Sequence, residues 1–259
     1  MPYKILIIGA HHEEIEAEIP NTAAALALAG CDVHILNPIG GWNWNTIQRM
    51  EGDGRARVID AATKAATVLG CKKTIWDYPI AQCHRYQTEI LDRMIDFLKH
   101  YNPDIVLIHW PLDMHADHRL IAHISRHAVD VTDDISMDTV THLQYMTNKE
   151  VYAFQTGITQ AYHFIPDVLV VADDNTMAIA NKAIEQFNLA FSEEEINGWK
   201  WNVNAKTQYW GGIIGQPAEG LKFLGPQLPL EGFLLKKILG AKLLPSRLES
   251  FYYRSDFEL

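Results

Sequence analysis

The chain has 259 residues, with 22 Lys+Arg against 32 Asp+Glu and a formal net charge of −10. With 48% hydrophobic and 21% charged residues, it has the composition of a folded globular chain, not a disordered one. The acidic balance argues against a nucleic-acid partner, and the absence of a run of about 18 apolar residues argues against a membrane span.

The first apolar run, Lys4–Ile8, starts four residues into the chain and leaves no room for a signal peptide. It is continuous and β-branched, as expected of a central parallel strand, and ends at Gly9-Ala10. Ala-rich helical sequence covers about 22–29 and stops at Gly30; Val33–Leu36 reads as a second strand. The loop 37–45 follows, with Gly41-Trp42-Asn43-Trp44-Asn45 at its end. A helix is expected over about 55–69, stopping at Gly70, then a short strand at 73–76. The segment 86–100 places Ile90, Leu91, Met94, Ile95 and Leu98 on one helical face, and Asn102-Pro103-Asp104 ends it. Ile105–Ile108 is another buried strand, ending at His109; a helix follows near 118–129. Later strands are expected at 151–154 and 168–171, and a helix near 177–191. Strands alternating with helices predict an α/β fold: a Rossmann-like, mostly parallel sheet with helices on both faces. All 259 residues are read as one domain, the Gly-, Pro- and Leu-rich segment from about 211 packing on it as a C-terminal extension. The leucines of 230–244 are a candidate homo-oligomer contact.

Three scattered cysteines, Cys31, Cys71 and Cys83, suit free thiols in a reducing compartment, and the expected location is cytoplasmic. Histidine is the outlier, with 12 residues, five of them (His109, His115, His118, His123, His127) in one stretch. Two predicted strand ends carry the chemistry: His11-His12-Glu13-Glu14 after the first strand, and Asp113 with His115-Ala116-Asp117-His118 after the strand ending at His109. Ligands in open parallel sheets bind at the carboxyl ends of strands. No G-x-G-x-x-G follows the first strand and no phosphate-loop motif occurs, and paired carboxylates would repel a phosphate. Imidazole beside carboxylate instead suits a divalent transition metal, zinc first. Exposed aromatics beside amides, as in Trp42 and Trp44, suit a sugar ring. His109 is read equally as pocket-lining or as a hydrogen-bonded core residue. His123 and His127, one turn apart, are read as solvated, and Arg55 and Arg57 as surface residues.

The chain resembles the PIG-L/LmbE-type N-acetylglucosaminyl deacetylases. The family signature Ala-His-Pro-Asp-Asp-x-Glu corresponds to Ala10-His11-His12-Glu13-Glu14-Ile15-Glu16, and His-x-Asp-His to His115-Ala116-Asp117-His118. Pro103-Asp104-Ile105-Val106 and Asp113 also match, Leu69-Gly70 and Ala218-Glu219-Gly220 with Phe223 more loosely, so that the resemblance spans about residues 4–225. In the first motif His12 replaces proline, and Glu13 and Glu14 replace aspartates. The resemblance implies His11, Glu14 and His118 as metal ligands and Glu13 as general base. His115, if protonated, would stabilise an oxyanion, and Asp117 would orient an imidazole. Family spacing from His12 would put isoleucine in the ligand position, which makes His11 the better ligand. Trp42 and Trp44 are the expected substrate contacts, and Asp113 is read equally as a substrate contact or as the residue that holds the loop. The implied reaction is metal-dependent hydrolysis of an N-acyl, chiefly N-acetyl, amide on a small amino sugar or conjugate. A metal hydrolase of another amide or ester, and a catalytically impaired metal- or sugar-binding relative, are the alternatives.

Overall fold

The computed structural model describes residues 1–132, 149–225 and 233–246. Eight strands form one sheet: β1 (Lys4–Ile8), β2 (Asp32–Ile39), β3 (Lys72–Tyr78), β4 (Ile105–His109), β5 (Glu150–Phe154), β6 (Val168–Val171), β7 (Ala218–Gly225) and β8 (Leu243–Pro245). Their order is β3-β2-β1-β4-β5-β7-β6-β8. The first five run parallel, and β7 pairs antiparallel with both β5 and β6. The helices are α1 (Glu14–Glu18), α2 (Pro20–Leu28), α3 (Asn45–Gln48), α4 (Gly54–Val68), α5 (Gln87–Tyr101), α6 (Ala116–Thr132), α7 (Asp174–Glu185), α8 (Glu193–Gly211) and α9 (Leu234–Leu239). No helix among the described residues is long and apolar enough to cross a membrane.

The unbroken apolar run of β1 follows from its central place. Ile5 and Ile7 bury in a core shared with α2, α4 and α7, while Leu6 and Ile8 bury on the other face against α5 and α6. The stripe on α5 buries Ile90, Met94 and Leu98, and the helix ends at Asn102, whose φ of 49° is left-handed, directly before Pro103.

Two of the longer elements, α8 and β7, escaped the periodicity reading. In α8 the apolar residues follow no stripe, and Trp201 and Tyr209 are exposed. Its legible signal was the capping box, Ser192 with Glu195 three residues on. The apolar run of β7 is interrupted by Glu219, Gly220 and Lys222. Gly220 is required there, because a Cβ would lie 2.9 Å from the Pro166 ring. Buried Glu219 caps the N-terminus of α2: it accepts from Asn21 N at 3.0 Å and Asn21 Nδ2 at 2.8 Å, and from Thr22 N at 2.7 Å and Thr22 Oγ1 at 2.6 Å. One carboxylate thus satisfies orphan helix donors and ties β7 to α2, with Pro20 in the first turn.

The tail leucines differ from the expectation of an oligomer contact. Leu235, Leu239 and Leu243 bury in the chain's own core, so these side chains are covered without a second copy. Residues 226–232 and 247–259 of that segment lie outside the described residues.

Candidate metal centre and cavity

The strand order reverses between β1 and β4, and the carboxyl ends of these two parallel strands carry the site. Gly9 lets the chain turn there: a Cβ would sit 2.8 Å from Asn37 Nδ2 and 3.1 Å from Ile15 Cδ1. Asn37 donates to the His11 carbonyl, and His11 N donates to Glu14 Oε2 at 3.0 Å, folding Glu14 back over the strand end.

Glu14 is the hub. Its Oε1 meets His11 Nδ1 at 2.8 Å and also contacts His118 Nε2; its Oε2 lies 2.7 Å from His109 Nε2. All four residues are buried. Outer contacts orient the rings. Asp117 Oδ2 accepts from His11 Nε2 at 3.2 Å and from Ala81 N at 2.7 Å, and Asp117 Oδ1 accepts from Cys83 Sγ at 2.9 Å. Asp113 Oδ1 lies 3.1 Å from His118 Nδ1 and accepts from His115 N at 2.7 Å, while its Oδ2 takes the Thr156 hydroxyl.

Electrostatics follow from this crowding. Burial pulls His11 and His118 down, but Glu14, with hydrogen bonds to Asp117 and Asp113 respectively, overrides it and lifts them to about 9 and about 11. Burial pushes Glu14 up, yet His118, His109 and His11 hold it well below the usual carboxylate range. Asp117, pushed up by burial, is drawn down to about 2 by its bonds to His11, Cys83 and Ala81. The field at Glu14 therefore calls for positive charge. A divalent ion answers that field with both imidazoles neutral, and an imidazole–carboxylate donor set is what a transition metal takes. Ligating atoms of His11, His115 and His118 lie within 4.8 Å of one another, as do those of Glu14, His109 and His118.

Glu13 stands apart from the hub. Its Oε2 is buried without a hydrogen bond and lies 3.4 Å from His12 Nε2. His12 turns away from the carboxylate hub and stacks between Trp42 and Phe191, at ring separations of 6.3 and 5.9 Å. Burial, and then the charges of His11 and His118, hold the His115 imidazole below its usual range. Asp117 N donates to its Nδ1 at 3.2 Å, which leaves Nε2–H as the donor.

A cavity of about 340 Å³ opens over this cluster, lined among others by His11, His12, Glu13, Glu14, Trp44, His115 and His118. That volume suits a small ligand. Trp44 lines it and Trp42 does not. Trp42 sits behind His12, with the Arg55 guanidinium 5.0 Å over its ring and its Nε1 donating to Asp77. Asp113 does not line it either, because both of its oxygens are engaged by the loop it holds. Arg55 pairs with Asp77 and Arg57 with the Leu189 carbonyl, while His123 and His127 are exposed. Glu18, Ile80, Gly157, Gln160 and Asn202 also line the cavity and escaped the sequence reading, and Trp199, which reads in the sequence as a packing or interface residue, lines it too. Lone amides and a single carboxylate carry no spacing signal.

These positions separate the two tryptophans. Trp44→Ala should raise KM by about tenfold with little change in Tm. Trp42→Ala should instead lower Tm by about 4–8 °C, from roughly 2 kcal/mol of lost packing. Steady-state kinetics and thermal melts on both variants check this; a Tm loss confined to Trp44→Ala would reverse the assignment.

The family model PIG-L, described as GlcNAc-PI de-N-acetylase, matches residues 6–129. Residues 6–129 are thus similar to the PIG-L family. This region holds β1 through most of α6, and with them every member of the His/Glu cluster. Comparison with curated proteins gives no match. Among solved structures, the fold is shared with the N,N'-diacetylchitobiose deacetylase from Pyrococcus horikoshii, at 19% identity and a TM-score of 0.70, over 85% of this chain and 83% of that one. It is shared with the 4-carboxy-2-hydroxymuconate hydratase from Pseudomonas putida KT2440, at 18% identity and 0.68, over 88% and 98%. It is also shared with the A40926 pseudoaglycone deacetylase, at 12% identity and 0.68, over 86% and 97%. At these identities the likeness establishes the fold beyond the PIG-L region, including the mostly parallel sheet.

Proposed function

We propose that the chain is a metal-dependent N-deacetylase that acts on an N-acetylated amino sugar or a small conjugate of one, releasing the free amine and acetate. The observation that carries this reading is the meeting of His11, Glu14 and His118 at one floor, with Glu13 beside them under a small-ligand cavity. Two deacetylases among the structures of this fold, one for N,N'-diacetylchitobiose and one for the pseudoaglycone of the antimicrobial A40926, support it.

His11, Glu14 and His118 would hold the ion, and the donor set favours zinc. A zinc ion there supplies Lewis acidity toward an amide carbonyl and lowers the pKa of water. Glu13 takes the proton of the attacking water as its oxygen bonds to the acyl carbon. His115 donates Nε2–H to the oxyanion that forms. The C–N bond then breaks, the proton passes to the departing nitrogen, and the water oxygen stays with acetate. Asp117 and Asp113 keep the His11 and His118 rings in place throughout. The chain functions as one domain with its C-terminal segment packed on it, and its three free thiols suit a reducing cytoplasm.

The test is amine and acetate release from N-acetylglucosamine and N,N'-diacetylchitobiose by the purified protein. The two products should appear in equal amounts, fall by about 100-fold with chelator and return with zinc. A metal-loaded protein that releases neither would refute the deacetylase reading. The hydratase of the same fold makes water addition the reaction to assay next.

A further inference from the structure

Away from the His/Glu floor, the cavity is walled by Glu18 of α1, Gln160, and Trp199 and Asn202 of α8, with Trp44 and His12 alongside. The polar atoms of this wall are arranged to take hydrogen bonds from a ligand. Glu18 Oε2 accepts from Lys206 Nζ and from Asn202 Nδ2 at 3.2 Å, which leaves Oε1 open to a ligand among the described residues. The Gln160 side-chain amide and Asn202 Oδ1 likewise accept or donate no protein hydrogen bond there. His12 is 1% exposed, and neither of its ring nitrogens is hydrogen-bonded, although Glu13 Oε2 lies 3.4 Å from Nε2. A buried, unsatisfied imidazole of this kind costs free energy unless a ligand completes it. Trp44 and Trp199 add apolar ring surface, held against Phe191 at 5.9 and 5.2 Å.

The charge of the wall is one-sided. At the floor Glu14 is answered by His11 and His118, but Glu13 and Glu18 also line the cavity, and no Lys or Arg does among the described residues. Lys206, the nearest cation to Glu18, is 2% exposed and spends its ammonium on Glu18 and on the Gln155 carbonyl at 3.0 Å. Amide and carboxylate acceptors beside aromatic faces suit sugar hydroxyls. Carboxylates facing the ligand oppose a phosphate or uronate.

We propose that this wall is a specificity subsite for an uncharged or amine-bearing sugar, with Glu18 as the residue that excludes anionic ones. The proposal deepens the deacetylase reading, but it concerns recognition and is tested by binding as well as by turnover. The probes are N-acetylglucosamine and N-acetylglucosamine 6-phosphate, titrated into the metal-loaded protein and followed by tryptophan fluorescence and calorimetry. Metal–phosphate attraction is common to all variants, so the decisive readout is how the ratio of the two dissociation constants changes. Glu18→Gln removes a facing charge and leaves Lys206 uncompensated; the ratio should move by about tenfold in favour of the phosphorylated sugar. Asn202→Asp, which adds a charge to the same wall, should move it several-fold the other way and covers the case in which Glu18→Gln fails to fold. An unchanged ratio in both variants, or no binding of either sugar, would overturn the subsite. Binding selectivity without acetate release would sink the deacetylase reading and spare this one. Equal turnover of both sugars by the unaltered protein and by Asn202→Asp would do the opposite.

Discussion

Glu13→Gln is expected to keep the metal and lose turnover by about 1000-fold, the usual scale for removing a general base. The amide has the size of the carboxylate but cannot accept the proton of water. Glu13 shares no hydrogen bond with the His11 or His118 rings among the described residues, and its buried Oε2 has no hydrogen-bond partner to lose, only His12 Nε2 at 3.4 Å. The fold should therefore be unaffected. Metal analysis of the dialysed variant beside its kinetics gives the answer. Loss of metal together with activity would show that Glu13 and Glu14 hold each other's roles.

The second large effect belongs to Glu14. Glu14→Gln should empty the site, lowering metal affinity by more than 100-fold, because the carboxylate is what draws His11, His109 and His118 together. An amide also leaves His11 and His118 without the charge that lifts them, so both rings fall back toward neutrality. His118→Ala should lose metal in the same way, whereas His115→Ala should keep it and lose rate. Metal content of the three variants after dialysis decides the ligand set. Metal loss in His115→Ala with retention in Glu14→Gln would move the ion to the His11, His115 and His118 group.

Both expectations rest on residues that were visible as sequence. The strands β1 and β6 were legible to the residue, and β2, β4 and β5 to within a few, because a strand buried on both faces must be an unbroken apolar run between breakers. Fold class followed from their alternation with helices. The two loaded strand ends were legible because metal-type chemistry needs imidazole and carboxylate at short spacing, whatever surrounds them. Their meeting over one cavity needed only the rule that β1 and β4 flank the reversal of strand order.

What the tertiary structure decided lies at longer range. Insertion of β7 between β5 and β6, antiparallel to both, cannot be read from a strand that holds Glu219, Gly220 and Lys222. Each of those is explained only by its partner: Asn21 and Thr22 for Glu219, Pro166 for Gly220 and Asp167 for Lys222. The same holds at the site. Trp42 and Trp44 are two residues apart, yet one backs His12 and the other lines the cavity. For Asp113, read equally as substrate contact or loop holder, the contacts with Thr156 and His118 favour the second. Local sequence carries periodicity, caps and donor chemistry; which buried polar atom meets which partner tens or hundreds of residues away is set by packing alone.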